Sequence, residues 1–189
     1  MDDLTKKEFK NSLDLTSDEL ERFTPDLLKG LWELGSMPEY VIKLIDRNKL
    51  GNANNILDLG CGKGAVLIKL AQRFDIKAIG VDIVSEFIDE AVIYANNYSV
   101  SDKVLFKTED IIDTIKTTTN QDILIYGYDS EILGDLNDTL RQLKKCIKSD
   151  GVVILEFMFV DQPTEGMVTD NEMQNIIDQI GFCILDRIN

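Results

Sequence analysis

The stretch Asn55-Ile56-Leu57-Asp58-Leu59-Gly60-Cys61-Gly62-Lys63-Gly64 constrains this chain more than any other. A short apolar run ends in an acid, breaks into three alternating glycines, and continues into a pattern that puts Leu67, Ile68 and Ala71 on one helical face. The spacing predicts strand, tight turn and helix. Gly60 lets the chain reverse, Gly62 lets the backbone touch a ligand, and Gly64 lets the helix pack closely on the strand. Helix N-terminal N–H groups then point at whatever carries negative charge.

Downstream, strands are expected at about 54–59, 76–82, 103–107, 121–127, 151–159 and 181–187, with helices at about 63–73, 85–98, 130–147 and 169–180. Runs such as Asp122-Ile123-Leu124-Ile125-Tyr126 and Val152-Val153-Ile154-Leu155 are continuously apolar, as strands covered on both faces must be. Strands alternating with helices predict an α/β fold with a Rossmann-like, doubly wound, mostly parallel sheet, and ligands bind beyond its strand ends at the switch point. Residues 1–50 read as an N-terminal helical cap on the same domain, with 51–189 as the ligand-binding core. Thr16 and Glu19 form a capping box, Thr24-Pro25 starts a helix that Gly35 stops, and Pro38 opens another running to about Lys49.

A glycine turn of this kind suits dinucleotides and S-adenosylmethionine alike. Asp58 separates them, because a carboxylate two residues before the first glycine would repel a pyrophosphate and attract an ammonium group. The run Asp58-Leu59-Gly60-Cys61-Gly62-Lys63-Gly64 resembles the cofactor loop of class I S-adenosylmethionine-dependent methyltransferases of the small-molecule type. The resemblance covers roughly residues 40–189 and implies seven strands, the last antiparallel. Six are found and the seventh is not. Either the chain is cut short or it protects that edge differently; an open edge tends to pair with a neighbouring chain, which leaves a homodimer open.

Asp58, Gly60, Cys61, Gly62 and Gly64 are thus candidate cofactor-binding positions. Asp82, at the end of the second strand and 18 residues beyond Gly64, is placed to accept hydrogen bonds from ribose hydroxyls, unless it caps the next helix. After the third strand, the resemblance implies an acid that contacts the adenine amino group. Asp110 is the first choice and Glu109 the second, with Ile83 and Ile111 as apolar walls; a solvated pair at a helix start is the alternative. In the cap, Trp32, Gly35, Ser36 and Tyr40 could close over the sulfonium, since aromatic faces attract cations, although Trp32 also reads as core.

Tyr126-Gly127-Tyr128-Asp129-Ser130 departs from the Asn/Asp-Pro-Pro-Tyr pattern of base and amide methylation. Tyr128 and Asp129 are expected to face the transferred methyl, with Asp129 equally readable as a helix cap. Glu156 and Asp161 follow the fifth strand as candidate bases. The catalytic choices are Asp129, Tyr128 and Glu156, and no metal is assigned, because nothing in the spacing of Asp129, Glu156 and Asp161 demands one.

The chain has no histidine, which removes His-dependent triads, His-bearing metal sites and histidine as a general base. A net charge of -14 disfavours nucleic-acid substrates and fits a cationic cofactor with a neutral or basic acceptor. Three widely spaced cysteines read as reduced thiols, and neither a signal peptide nor a membrane span is seen, so a cytoplasmic location is expected. The leading expectation is methyl transfer to a small molecule. The alternatives are a non-catalytic S-adenosylmethionine-binding or partner subunit, a protein or RNA methyltransferase and, more distantly, a nicotinamide-dependent oxidoreductase.

Overall fold

The structure, a computed structural model, describes residues 28–128, 132–160, 162 and 167–188. In chain order these form α1 (Pro38–Arg47), β1 (Ile56–Leu59), α2 (Ala65–Arg73), β2 (Ala78–Asp82), α3 (Ser85–Asn97), β3 (Val104–Thr108), α4 (Ile111–Thr117), β4 (Gln121–Tyr128), α5 (Leu136–Cys146), β5 (Ile147–Phe157) and α6 (Asp170–Ile180). The strands pair in parallel in the order β3-β2-β1-β4-β5. Alternation along each apolar strand feeds two cores. Ile56, Ile123 and Ile125 meet Leu67, Ile68 and Ala91 under α2 and α3, while Leu57, Leu124 and Tyr126 meet Ile111 and Leu143 under α4 and α5. Leu67 and Ile68 are fully buried, each contributing about 1.5–3 kcal/mol. The winding direction reverses between β1 and β4, so the crevice for a ligand opens where the glycine turn leaves β1.

Four expectations need correction. Residues 182–188 form no strand, so the sheet has five strands among the described residues. Side-chain anchors hold that segment instead of a ladder: Asp186 accepts from Asn48 and pairs with Arg47 at 2.8 Å, and Arg187 pairs with Asp170 at 2.7 Å. The helix expected at 130–147 starts at Leu136, because Gly134 takes φ +88° and Asp135 caps the first turn by accepting from the Asp138 N–H. The short helix α4 had no periodic signal, being set by the Asp110 cap. Before Gly35, Leu28–Gly30 is a turn and 31–34 has no regular structure, because tertiary contacts rather than a helical stripe hold Trp32. Thr16, Glu19 and Pro25 lie outside the described residues.

Candidate functional site

The turn after β1 is held by its own backbone. The N–H groups of Gly60 and Cys61 both donate to the Val81 carbonyl, each at 2.9 Å, and the Gly64 N–H donates to the Cys61 carbonyl. Gly64 has φ +74°, and a Cβ there would lie 2.5 Å from the Phe106 ring, so no larger residue fits between helix and sheet. Gly62 also takes a positive φ, and its N–H donates to Asp82 Oδ2 at 2.8 Å. The other Asp82 oxygen accepts from the Val84 N–H at 2.9 Å. Asp82 therefore ties the turn to the start of α3, and a carboxylate with about four acceptor positions keeps capacity for a ligand.

A cavity of about 460 Å³ opens over this turn. Asp58, Gly60, Cys61, Gly62, Asp82, Ile83, Asp110 and Ile111 line it, as do Trp32, Gly35 and Ser36. Burial, then the charge of Asp82, pushes the Asp58 carboxyl up to about 7. Burial also raises Asp82, opposed by N–H groups from Val84, Gly62 and Ile83. Among the described residues neither acid has a lysine or arginine partner. A buried, unpaired carboxylate costs free energy until a cation meets it. The same surroundings push the Cys61 thiol well up, first by burial and then by Asp58, so Cys61 is a small wall residue and not a nucleophile.

Other expected residues lie elsewhere. Gly64 serves packing and does not line the cavity. Glu109 is exposed, accepts from Thr114 Oγ1 and pairs with Lys107. Asp110 caps α4, its carboxylate accepting from the Ile112 N–H at 2.8 Å while still edging the cavity. Tyr40, with Val41 and Leu44 of α1, lines a second cavity at the sheet edge and not the glycine-turn cavity. Tyr128 packs edge-to-face on Tyr126 and Phe157 and does not line the glycine-turn cavity; Tyr126 and Gly127 do. Asp129 and Asp161 lie outside the described residues.

The second cavity, about 690 Å³, runs along β5 and meets the first at Ser36, which lines both. Glu156 stands at that end and accepts from the Met37 N–H at 3.3 Å. Sequence reasoning missed Leu34, Phe87 and Ile132 as wall residues and Lys63 as a buried strut. A lone lysine between glycines carries no periodic signal, so nothing local reveals it.

A glycine turn at the switch point of a parallel sheet, with an acid at the end of the next strand, defines a nucleoside-binding α/β domain. Within that class the acidic interior favours a cationic ligand over a pyrophosphate. Residues 50–181 match the family model described as a methyltransferase domain, and the chain belongs to that family. It is 25% identical over 176 residues to the 27-O-demethylrifamycin SV methyltransferase of Amycolatopsis mediterranei, covering 89% of this chain and 64% of that protein. The chain thus spans less than two thirds of that relative's length. Among solved structures, it is similar to an S-adenosylmethionine-dependent methyltransferase from Thiobacillus denitrificans in complex with S-adenosyl-L-homocysteine, with a TM-score of 0.69, 20% identity, and coverage of 84% of this chain and 70% of that one. It is also similar to the magnesium protoporphyrin IX methyltransferase of Synechocystis PCC 6803 with bound S-adenosylmethionine, with a TM-score of 0.64, 17% identity, and coverage of 98% and 89%. These likenesses establish the fold.

Proposed function

We propose that this protein transfers a methyl group from S-adenosylmethionine to a small-molecule acceptor. The observation that carries the cofactor reading is Asp58: a carboxylate buried to 5% exposure in the cavity wall, pushed up to about 7, with no cation beside it among the described residues. A ligand with an ammonium group and a sulfonium supplies that charge. The relatives reported above that hold S-adenosylmethionine or its demethylated product support the same choice.

Bound S-adenosylmethionine supplies an electrophilic methyl on a good leaving group, so this chain's residues mainly bind, align and exclude water. Asp58 balances the ammonium group. Asp82 accepts from the ribose hydroxyls, and Ile83 and Ile111 form apolar walls for the adenine. The segment 28–37 shields the cavity through Trp32, Leu34, Gly35 and Ser36. The acceptor's apolar body fits the sheet-edge cavity, among Tyr40, Leu44, Phe157, Phe159 and Met173. Glu156, at the end where the cavities meet, is positioned to take the acceptor's proton.

The test is turnover. Purified protein with S-adenosylmethionine and a panel of small apolar alcohols and amines is expected to release S-adenosylhomocysteine with at least one acceptor. Cofactor binding without release against the whole panel would instead favour a non-catalytic binding subunit.

A further inference from the structure

The glycine turn carries a charge that the cofactor cavity does not use. Lys63 lies between Gly62 and Gly64, its side chain has no exposure, and it does not line the cavity. Its ammonium donates to the Leu28 carbonyl at 2.9 Å, pairs with Glu90 of α3 at 2.9 Å, and sits 5.7 Å from the Phe87 ring. Its own carbonyl accepts from Trp32 Nε1 at 3.1 Å. One residue therefore grips the 28–32 segment twice, by side chain and by main chain. Lysine is rarely buried without such a purpose, because removing its charge from water costs several kcal/mol on the order of a whole ion's desolvation.

That segment has no ladder or helix to hold it and depends on side-chain contacts. Apart from the turn at 28–30 it has no regular structure before α1. Trp32 stacks at 5.0 Å on both Tyr94 and Tyr98, and Lys69 of α2 reaches Glu33 and lies 5.6 Å from the Trp32 ring. Leu34 packs on the turn: a Cβ on Gly62 would make an ordinary contact with the Leu34 Cβ at 3.5 Å. The wall that covers the ligand and the turn that binds it are joined at residue 63.

We propose that Lys63 is a positioning residue for cofactor retention: paired with Glu90, its ammonium fastens the 28–37 strap onto the glycine turn, so that the strap holds the ligand. This rests on the cofactor reading above. Lys63 touches neither ligand nor reacting atoms in this account. Its effect is carried by the strap.

The test uses Lys63→Met, which keeps the length and removes the charge. Glu90 has a side chain 32% exposed and can turn to water, which limits the cost to the fold. S-adenosylhomocysteine is expected to bind about 10- to 100-fold more weakly, the range for losing a charge-assisted hydrogen bond, with the change in its dissociation rate. Trp32 is the chain's only tryptophan, so its emission reports the strap alone. In ligand-free Lys63→Met that emission is expected to shift to the red and become more open to acrylamide than in wild type. A purely structural lysine would lower the melting temperature without moving either readout. If Lys63→Met does not fold, Glu90→Gln is expected to shift both readouts in the same direction by less. Unchanged affinity, dissociation rate and quenching in a folded variant overturn the proposal. Wild type that fails to bind S-adenosylhomocysteine overturns the cofactor reading instead, while the quenching of Trp32 still decides whether Lys63 holds the strap.

Discussion

The glycine-turn cavity and the sheet-edge cavity share Ser36 and are built in opposite ways. In the first, backbone groups shape the wall and two acids, Asp58 and Asp82, face inward without a lysine or arginine among the described residues. In the second, apolar side chains make most of the wall and several rim charges are paired, while Asp150 and Glu156 also line it. Asp186 meets Arg47, Arg187 meets Asp170, Lys148 meets Asp122, and Lys144 donates to the Ile180 and Gly181 carbonyls. A buried charge left unmatched asks for a ligand of opposite sign, whereas a matched rim asks for an apolar body. Buried charge thus marks the glycine-turn cavity, and apolar surface marks the sheet-edge cavity.

If the two cavities are separate, a substitution in one should leave the other's ligand unaffected. Asp82→Ala removes an acceptor for the ribose and leaves the Gly62 and Val84 N–H groups unpaired, so S-adenosylmethionine affinity should fall about 100-fold by calorimetry. Glu156→Gln should do the reverse. It leaves cofactor affinity unchanged and lowers turnover of an alcohol acceptor by about 100-fold, the lower end for loss of a general base. A fall in cofactor affinity with Glu156→Gln would merge the two sites into one.

Asp58 sharpens the charge argument through pH. Its ordinary value of 3.8 is raised to about 7 in the folded chain, so its contribution to stability is full below about pH 4 and lost as the pH climbs through 7. Ligand-free Asp58→Asn should therefore be more stable than wild type at pH 8, by about 2–4 kcal/mol in urea denaturation, and level with it below pH 4. Affinity for S-adenosylmethionine should fall in wild type as the pH drops through 7, and fall less in the variant, which keeps only Asp82. The smallest effect concerns backbone alone. Gly64→Ala meets the Phe106 ring and should cost about 1–3 kcal/mol, whereas Gly60→Ala faces open space and should cost about 1 kcal/mol for its positive φ. Equal costs would mean that close packing at Gly64 does not matter.

The same contrast explains what could be read in advance. The glycine turn, Asp58, Asp82 and the parallel order of strands are local patterns whose chemistry lies in neighbouring residues, and the sequence is legible there. Ile83 and Ile111, chosen from the family resemblance as adenine walls, do line the glycine-turn cavity. The expected sixth strand failed because Phe182-Cys183-Ile184-Leu185 has strand composition, but Asp186 and Arg187 fasten it to α1 and α6 instead. Tyr40 lines the sheet-edge cavity with Val41 and Leu44, because no part of α1 reaches the glycine turn's cavity. Tyr126 lines the glycine-turn cavity and Tyr128 does not, because Tyr128 packs on Tyr126 and Phe157 instead, a contact between strands that no local pattern encodes. Lys63 and the Ser36 junction depend on contacts across more than 30 residues or between separate elements, and no local pattern encodes them.

Two buried acids without a lysine or arginine partner among the described residues favour a sulfonium nucleoside over a pyrophosphate. The most direct test of that preference is calorimetric titration of the wild-type protein at pH 8 with S-adenosylmethionine and, separately, with NAD. S-adenosylmethionine is expected to bind in the micromolar range, and NAD is expected to give no measurable heat. Binding of NAD, or no binding of S-adenosylmethionine, would contradict that preference.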